Sequence, residues 1–181
     1  MKKIILILFL SPVYLFAQSI YTAVSSEIHF FSAAPLENIE ATNKDAKSLL
    51  NTETKEVAVI IGIRQFKFEK PLMEEHFNEN YMESDKFKTA DFKGKINEQI
   101  DFSKNGEYDV TVSGKLTIHG VTQDRTIPGK ITVNGKSIKV YSKFPVALKD
   151  HNIKIPTAVI KNIAESVDVT VNISYEPKSS K

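Results

Sequence analysis

The amino-acid sequence predicts an all-β protein of about eight antiparallel strands with one or two short helices, arranged as a closed barrel or a sandwich. Three observations lead there: hydrophobicity that alternates with a period of two, turn residues between the alternating runs, and a single helical stretch. At 181 residues, 41% of them hydrophobic and 25% charged, the chain suits one globular domain rather than a disordered one. No linker, internal repeat or low-complexity tract divides it.

Tyr108, Val110, Val112, Gly114, Leu116 and Ile118 are apolar or small, and polar residues stand between them, which describes one long strand with a buried and a wet face. Val167, Val169, Val171, Ile173 and Tyr175 repeat the pattern near the C-terminus. Ile131–Val133, Asn134-Gly135 and Ile138–Val140 read as a hairpin turning at Asn-Gly, the pair that best tolerates positive φ. Further strands are expected at Ile28–Phe31, around Ala46–Leu50 and at Thr89–Ile96. Val57–Ile63 is apolar on both faces, so its outer face calls for a cover. The helix expected to supply it is Pro71–Tyr81, with Pro71 at a first helical position and Met73, Phe77 and Tyr81 at i, i+4 and i+8. A helical turn near Pro156–Ile160 is the second, shorter one.

The N-terminus reads as an export signal. Lys2-Lys3 precede an apolar run from Ile4 to Leu10, and Phe16-Ala17 before Gln18 suits a cleavage point. The run is broken by Ser11-Pro12 and falls short of the roughly 20 residues a membrane-spanning helix needs. Residues 1–17 are thus expected to be a signal peptide, 18–176 the barrel domain and 177–181 a disordered tail, with the mature protein periplasmic or secreted. Lys2 and Lys3 account for the whole excess of 24 Lys+Arg over 22 Asp+Glu, so the remainder is formally neutral and lacks the basic excess of a nucleic-acid binder. There is no Cys, which excludes disulfides, thiolate-bound metals and a lipid-modified N-terminal cysteine.

Catalytic signatures are missing. His29, His76, His119 and His151 have no metal-ligand spacing, and neither a His-Glu-x-x-His nor a Gly-x-Ser-x-Gly motif occurs. Glu74, Glu75 and Glu79 read as a solvated helix face. What remains is apolar surface: nine of the 11 Phe lie beyond the leader. An apolar cavity beneath the Pro71–Tyr81 helix would draw its wall from Phe30, Ile61, Ile63, Phe66, Phe68, Met73, Phe77 and Phe92.

Several stretches together resemble the YceI family of exported, lipocalin-like polyisoprenoid-binding proteins. Ser25–Phe30 is similar to the family's opening strand, and Tyr81–Phe87 with Ala90–Gly94 to its Ser-x-x-Phe-Pro-x-Ala-x-Phe segment. Gly114–Thr122, reading Gly-Lys-Leu-Thr-Ile-His-Gly-Val-Thr, matches its most specific motif almost letter for letter, and Phe144–Leu148 with Asp150–Ile153 and Pro156 resembles its closing segment. Three departures stand out: Lys88 replaces a usual Pro, Gln123 a usual basic residue, and Ser32–Asn51 lacks the usual Val-x-Gly-x-Phe hairpin. The resemblance implies an eight-stranded antiparallel lipocalin-like barrel around a hydrophobic tunnel.

It further implies a non-enzymatic carrier of a long-chain amphiphile (polyisoprenoid, quinone-like or fatty-acyl) with no cofactor. The expected partner is that lipid-like molecule alone, without nucleic acid or metal; a homodimer is left open. Lys149 and His151, with Asp150 between them, are the headgroup candidates, whereas His119 is read as structural, bonding backbone at the bend before Gly120. Two rivals are an exported interaction module with a filled core that binds protein or glycan on its outer face, and an enzyme acting on a lipid-like substrate. Export is tested by N-terminal sequencing of the protein from its native envelope: the first residue should lie at or near Gln18, and an intact Met1 in membrane-embedded material would refute it.

Overall fold

The computed structural model describes residues 19–33, 38–154 and 164–178. The leader, the turn expected near Pro156–Ile160 and the last three residues of the expected tail lie outside them. Among the described residues nine strands form one sheet: β1 (Ile20–Ser32), β2 (Ile39–Asn43), β3 (Lys47–Asn51), β4 (Glu56–Gly62), β5 (Thr89–Ile96), β6 (Gly106–Ile118), β7 (Val121–Asn134), β8 (Ser137–Ala147) and β9 (Ser166–Pro177). The order is β2-β1-β3-β4-β5-β6-β7-β8-β9, and β1 also pairs with β9, which closes the sheet. Strands β2 and β3 occupy a single register against β1, with Ser32 opposite Ile39 at one end and Ile20 opposite Asn51 at the other. They are one stave interrupted at Lys44–Ala46, so the barrel has eight staves.

Buried side chains mend that interruption. Ser26 Oγ donates to the Ala46 carbonyl (2.9 Å), and the fully buried Asn43 donates from Nδ2 to the Gly62 carbonyl (2.8 Å) while its Oδ1 accepts from Asp45 N–H (2.8 Å). Backbone groups freed by a broken ladder must find partners when buried, and these residues supply them. The hairpin that the Ser32–Asn51 stretch lacks as a motif is therefore present as structure. At the far end, β9 extends through Pro177 and Lys178 N–H donates to the Ile20 carbonyl (2.9 Å), which places two residues of the expected tail in the barrel.

The second irregularity lies between β7 and β8. Their ladder runs only from Asn134↔Ser137 to Lys130↔Tyr141. Beyond it the strands are spanned by side chains: Ser142 Oγ donates to the Pro128 carbonyl (2.6 Å), Arg125 Nη2 to the Pro145 carbonyl (2.7 Å) and Gln123 Nε2 to the Asp150 carbonyl (2.8 Å). Pro128 and Pro145 face this seam from both sides. A proline lacks the ladder N–H and is tolerated in a strand only along such an unpaired edge.

Two tight turns set the hand of the hairpins. Between Ile118 and Val121, His119 and Gly120 both have positive φ (52° and 74°), the type I′ turn that matches strand twist. A side chain on Gly120 would also collide with the Phe87 ring. Between β7 and β8 the two-residue loop is Gly135-Lys136, one residue later than the expected Asn134-Gly135, because Asn134 still pairs with Ser137. Gly135 alone has positive φ there (59°), as in a type II′ turn, and Asn134 belongs to the strand.

The expected cover for β4 is also corrected. Val57, Val59 and Ile61 point into the barrel, but Ile60 points out and stays 49% exposed, as does the nearby Leu49 at 45%. The helix lies elsewhere. It begins at Pro71, runs as α1 (Pro71–His76) and continues as a π-helical turn (Phe77–Tyr81), and it stands over the end of the barrel where β4 finishes and β5 begins. The opposite end is packed by Ile100 and Phe102 of the β5–β6 loop.

Gly135→Val tests the hairpin assignment. A Cβ at Gly135 meets nothing within 4 Å. The cost of the substitution is thus that of forcing a β-branched residue to positive φ, about 1–2 kcal/mol. Gly135→Asn should lose clearly less. Equal denaturation midpoints for parent and Gly135→Val would contradict the turn.

Candidate functional site

The interior is hollow. A cavity of about 490 Å³ runs up the barrel. Along β9 its wall is Val167, Val169, Val171, Ile173 and Tyr175, the alternating set of the C-terminal strand. The eight rises from Val167 to Tyr175 correspond to roughly 25 Å along the strand. From β4 and just beyond come Val57, Val59, Ile61 and Ile63, and from β6 come Val110, Val112, Leu116 and Ile118. An interior position on each of these strands recurs every second residue, which is why one alternating face yields a continuous apolar wall.

Four phenylalanines from three separate segments meet near the helical end. Phe30 on β1 packs edge-on to Phe66 (5.5 Å between ring centroids) and Phe68 (5.8 Å) and stacks with Phe77 (5.5 Å). Phe77 in turn touches Phe66 (5.7 Å) and Phe68 (5.0 Å). Each such pair contributes about 0.5–1.5 kcal/mol beyond its buried area, so the cluster fixes the helix across the barrel's end. An ion pair helps. Lys67 Nζ lies 2.7 Å from Glu74 Oε1, and this hydrogen bond holds the Glu74 carboxyl below the usual carboxylate range. Glu74 Oε2 also accepts from Phe68 N–H (3.4 Å), so this residue ties the helix to the Phe66–Phe68 segment and is not simply a solvated face.

All eight residues expected in the cavity wall (Phe30, Ile61, Ile63, Phe66, Phe68, Met73, Phe77 and Phe92) line it. The headgroup candidates do not. Lys149 and His151 lie on the 3₁₀ turn Leu148–His151 and are not among the described lining residues. The His151 ring is fully buried and donates from Nδ1 to the Val121 carbonyl (3.0 Å), which fastens the turn to the start of β7. Lys149 borders a separate outer depression with Glu83, Phe87 and His119. Asp150 accepts from Gln123 with its carbonyl. His119 does bond backbone, though that of the 3₁₀ turn rather than its own bend: Nδ1 lies 3.2 Å from the His151 carbonyl and Nε2 2.9 Å from Glu83 Oε2, and its ring rests 4.2 Å from that of Phe87.

The polar side chains that line the cavity, among the described residues, are Ser32, His76, Tyr81, Ser142 and Tyr175, and the lining includes no Asp, Glu, Lys or Arg. At the deep end Ser48 Oγ donates to the Ala58 carbonyl (2.8 Å), so Tyr175 O–H donates to Ser48 Oγ (2.6 Å). Burial pushes the Tyr175 phenol up to about 12, and burial also raises that of Tyr81. Ser142 Oγ is engaged with Pro128. Ser32 Oγ is buried and has no hydrogen-bond partner among the described residues. Sequence reasoning passed over Ser32, although it continues the inward series Ile28, Phe30, Ser32; a serine after Phe-Phe reads as a strand end.

A closed antiparallel barrel with an apolar hollow defines a class of small binding proteins rather than a single one. The YceI-like domain model matches residues 21–175, and the chain belongs to that family. Among solved structures it is similar to a polyisoprenoid-binding domain from Saccharophagus degradans implicated in plant cell wall breakdown, at 14% identity and a TM-score of 0.75, covering 87% of this chain and 98% of that one. It is similar also to BcnA of Burkholderia cenocepacia (15%, 0.71, covering 82% and 95%) and to the Campylobacter jejuni YceI protein (17%, 0.65, covering 81% and 90%). A comparison with curated proteins finds no match. At these identities the structural likeness speaks for the fold.

The raised phenol yields a prediction with a definite sign. Folding holds the Tyr175 proton to about 12 against about 10 in the unfolded chain. The unfolded state therefore sheds its proton first as pH rises, and stability declines between those values. Tyr175→Phe removes this contribution, so its alkaline loss of stability should be shallower than the parent's in denaturant titrations at several pH values. Parallel curves would contradict the buried phenol.

Proposed function

We propose that this chain is an exported, periplasmic or secreted, non-enzymatic binding protein that holds one long-chain amphiphile inside the barrel. The observation that carries the reading is the predominantly apolar wall, without charged side chains among the described lining residues, around an open hollow. A filled core would have favoured the rival in which the outer face binds protein or glycan. The Saccharophagus degradans neighbour is a polyisoprenoid-binding domain, which supports a prenyl or similarly long hydrocarbon as the ligand class. Export rests on Lys2-Lys3 and the short apolar run behind them.

The energetics suit a chain rather than a compact ligand. Removing a methylene from water contributes about 0.8 kcal/mol. About ten of them give roughly 8 kcal/mol gross, from which the cost of ordering protein and ligand is subtracted. Binding is favoured over catalysis because, among the described residues, no two of the five polar lining side chains are hydrogen-bonded to one another. A nucleophile and its base would need that contact.

Ile61→Asp tests the assignment. Ile61 faces the hollow from β4. A carboxylate there would be desolvated and unpaired, so it would take a proton or draw in water, and either displaces hydrocarbon. With circular dichroism confirming a folded variant, affinity for a fluorescent prenyl probe should fall by at least about tenfold relative to the parent. Unchanged affinity, or a parent that binds no probe, would contradict the proposal.

A further inference from the structure

Taking the cavity as a ligand site, as proposed above, we infer that its ligand is uncharged where it is buried and that its polar end is held by a hydrogen bond to Ser32 Oγ. Three observations converge on this residue. Ser32 is only 2% exposed, so its hydroxyl does not reach bulk solvent. It lines the cavity as the last inward residue of β1, next after Phe30 of the aromatic cluster. Among the described residues its Oγ has no hydrogen-bond partner.

A buried hydroxyl left unpaired is destabilising, and such groups in native proteins are nearly always satisfied in the working state. The other hydroxyls of the wall are placed differently. Tyr175 at the deep end is bonded to Ser48, Ser142 halfway up is bonded to the Pro128 carbonyl, and Tyr81 is only half-buried. His76 is exposed on the helix. Ser32 is thus the deeply buried lining group with unused hydrogen-bonding capacity, and it sits at the helical end. The apolar depth from Ile28 down to Leu50 and Ile96 remains for the hydrocarbon.

The same wall sets the charge of the guest. Among the described lining residues there is no Lys or Arg to neutralise a carboxylate or phosphate, and a hydroxyl alone cannot offset the desolvation of a full charge. A long-chain alcohol, ketone, quinone-like ring, ester or amide meets the site's chemistry; an ionised fatty acid or prenyl phosphate does not. A hydroxyl both donates and accepts, so it serves either kind of neutral head.

The test compares dodecane, dodecanol and dodecanoate as competitors of the neutral probe N-phenylnaphthylamine, on the full-length mature protein and on Ser32→Ala. The measurement is made at about pH 8, where dodecanoate is ionised. The parent should bind dodecanol about tenfold tighter than dodecane and about a hundredfold tighter than dodecanoate. In Ser32→Ala the preference for dodecanol over dodecane should vanish while dodecane affinity is kept, a pattern that a purely structural serine would not produce. An unchanged preference in Ser32→Ala overturns the anchor, and dodecanoate binding as tightly as dodecanol overturns the uncharged ligand. If none of the three nor the probe binds the parent, the cavity reading itself fails, and the inference with it.

Discussion

The antiparallel ladder between β1 and β9 turns a twisted sheet into a barrel, and every later feature depends on that closure. It runs from Tyr21↔Pro177 to Phe31↔Asp168, with one bulge at Val24. With it, the alternating residues of each stave share one enclosed interior; without it, the same apolar rows would lie on an open face needing another layer. Closure also fixes how much interior there is. Eight staves leave a space that side chains either fill or nearly fill, and here Val, Ile, Leu and Phe leave about 490 Å³ vacant. An apolar hollow of that size forgoes the dispersion contacts of a packed core, which a hydrocarbon guest would restore.

Access to the interior is governed by the two ends. The lower end is packed by Ile100 and Phe102, while the upper carries the helix and the cluster of Phe30, Phe66, Phe68 and Phe77. Ring contacts of Phe77 and the Lys67–Glu74 pair hold the helix in place. Its second half is π-helical, with Met82 N–H bonded to the Phe77 carbonyl (2.9 Å), and the wider turn brings Tyr81 as well as Met73 and Phe77 to the cavity. The motif that carries the family resemblance lies nearby. Its His119-Gly120 pair makes the β6–β7 turn, and His119 links that turn to Glu83 and to the 3₁₀ turn after β8. Within the motif, His119 and Gly120 join three loops at the upper end, while Leu116 and Ile118 contribute to the cavity wall.

Much of this was legible in the sequence because strands with one wet face write their geometry as alternation. Tyr108–Ile118 and Val167–Tyr175 were readable for that reason, and Thr89–Ile96 matches its strand residue for residue. The helix was readable from Pro71 and the spacing of Met73, Phe77 and Tyr81, but not its position, since periodicity says which face is apolar and nothing about what it meets. The upper parts of β7 and β8 were obscured by Pro128 and Pro145, which argue against a strand unless an unpaired edge is known. β2 was missed because five residues with Glu40 and Thr42 give little signal alone; the register against β1 is what defines it. Lys149 and His151 stand away from the described cavity wall for a related reason. Residue chemistry does not say where a side chain is buried: His151 is enclosed against the Val121 carbonyl, and Lys149 borders the outer depression.

The central claim is that this barrel is built around a guest, and the most direct measurement is mass spectrometry of an organic extract of the protein purified from its native envelope. The account predicts a long-chain amphiphile in roughly equal amount to the protein, released only when the barrel is unfolded. An extract without lipid, from a protein that also takes up none when reconstituted with prenyl or acyl compounds, would contradict it and return the outer face to consideration.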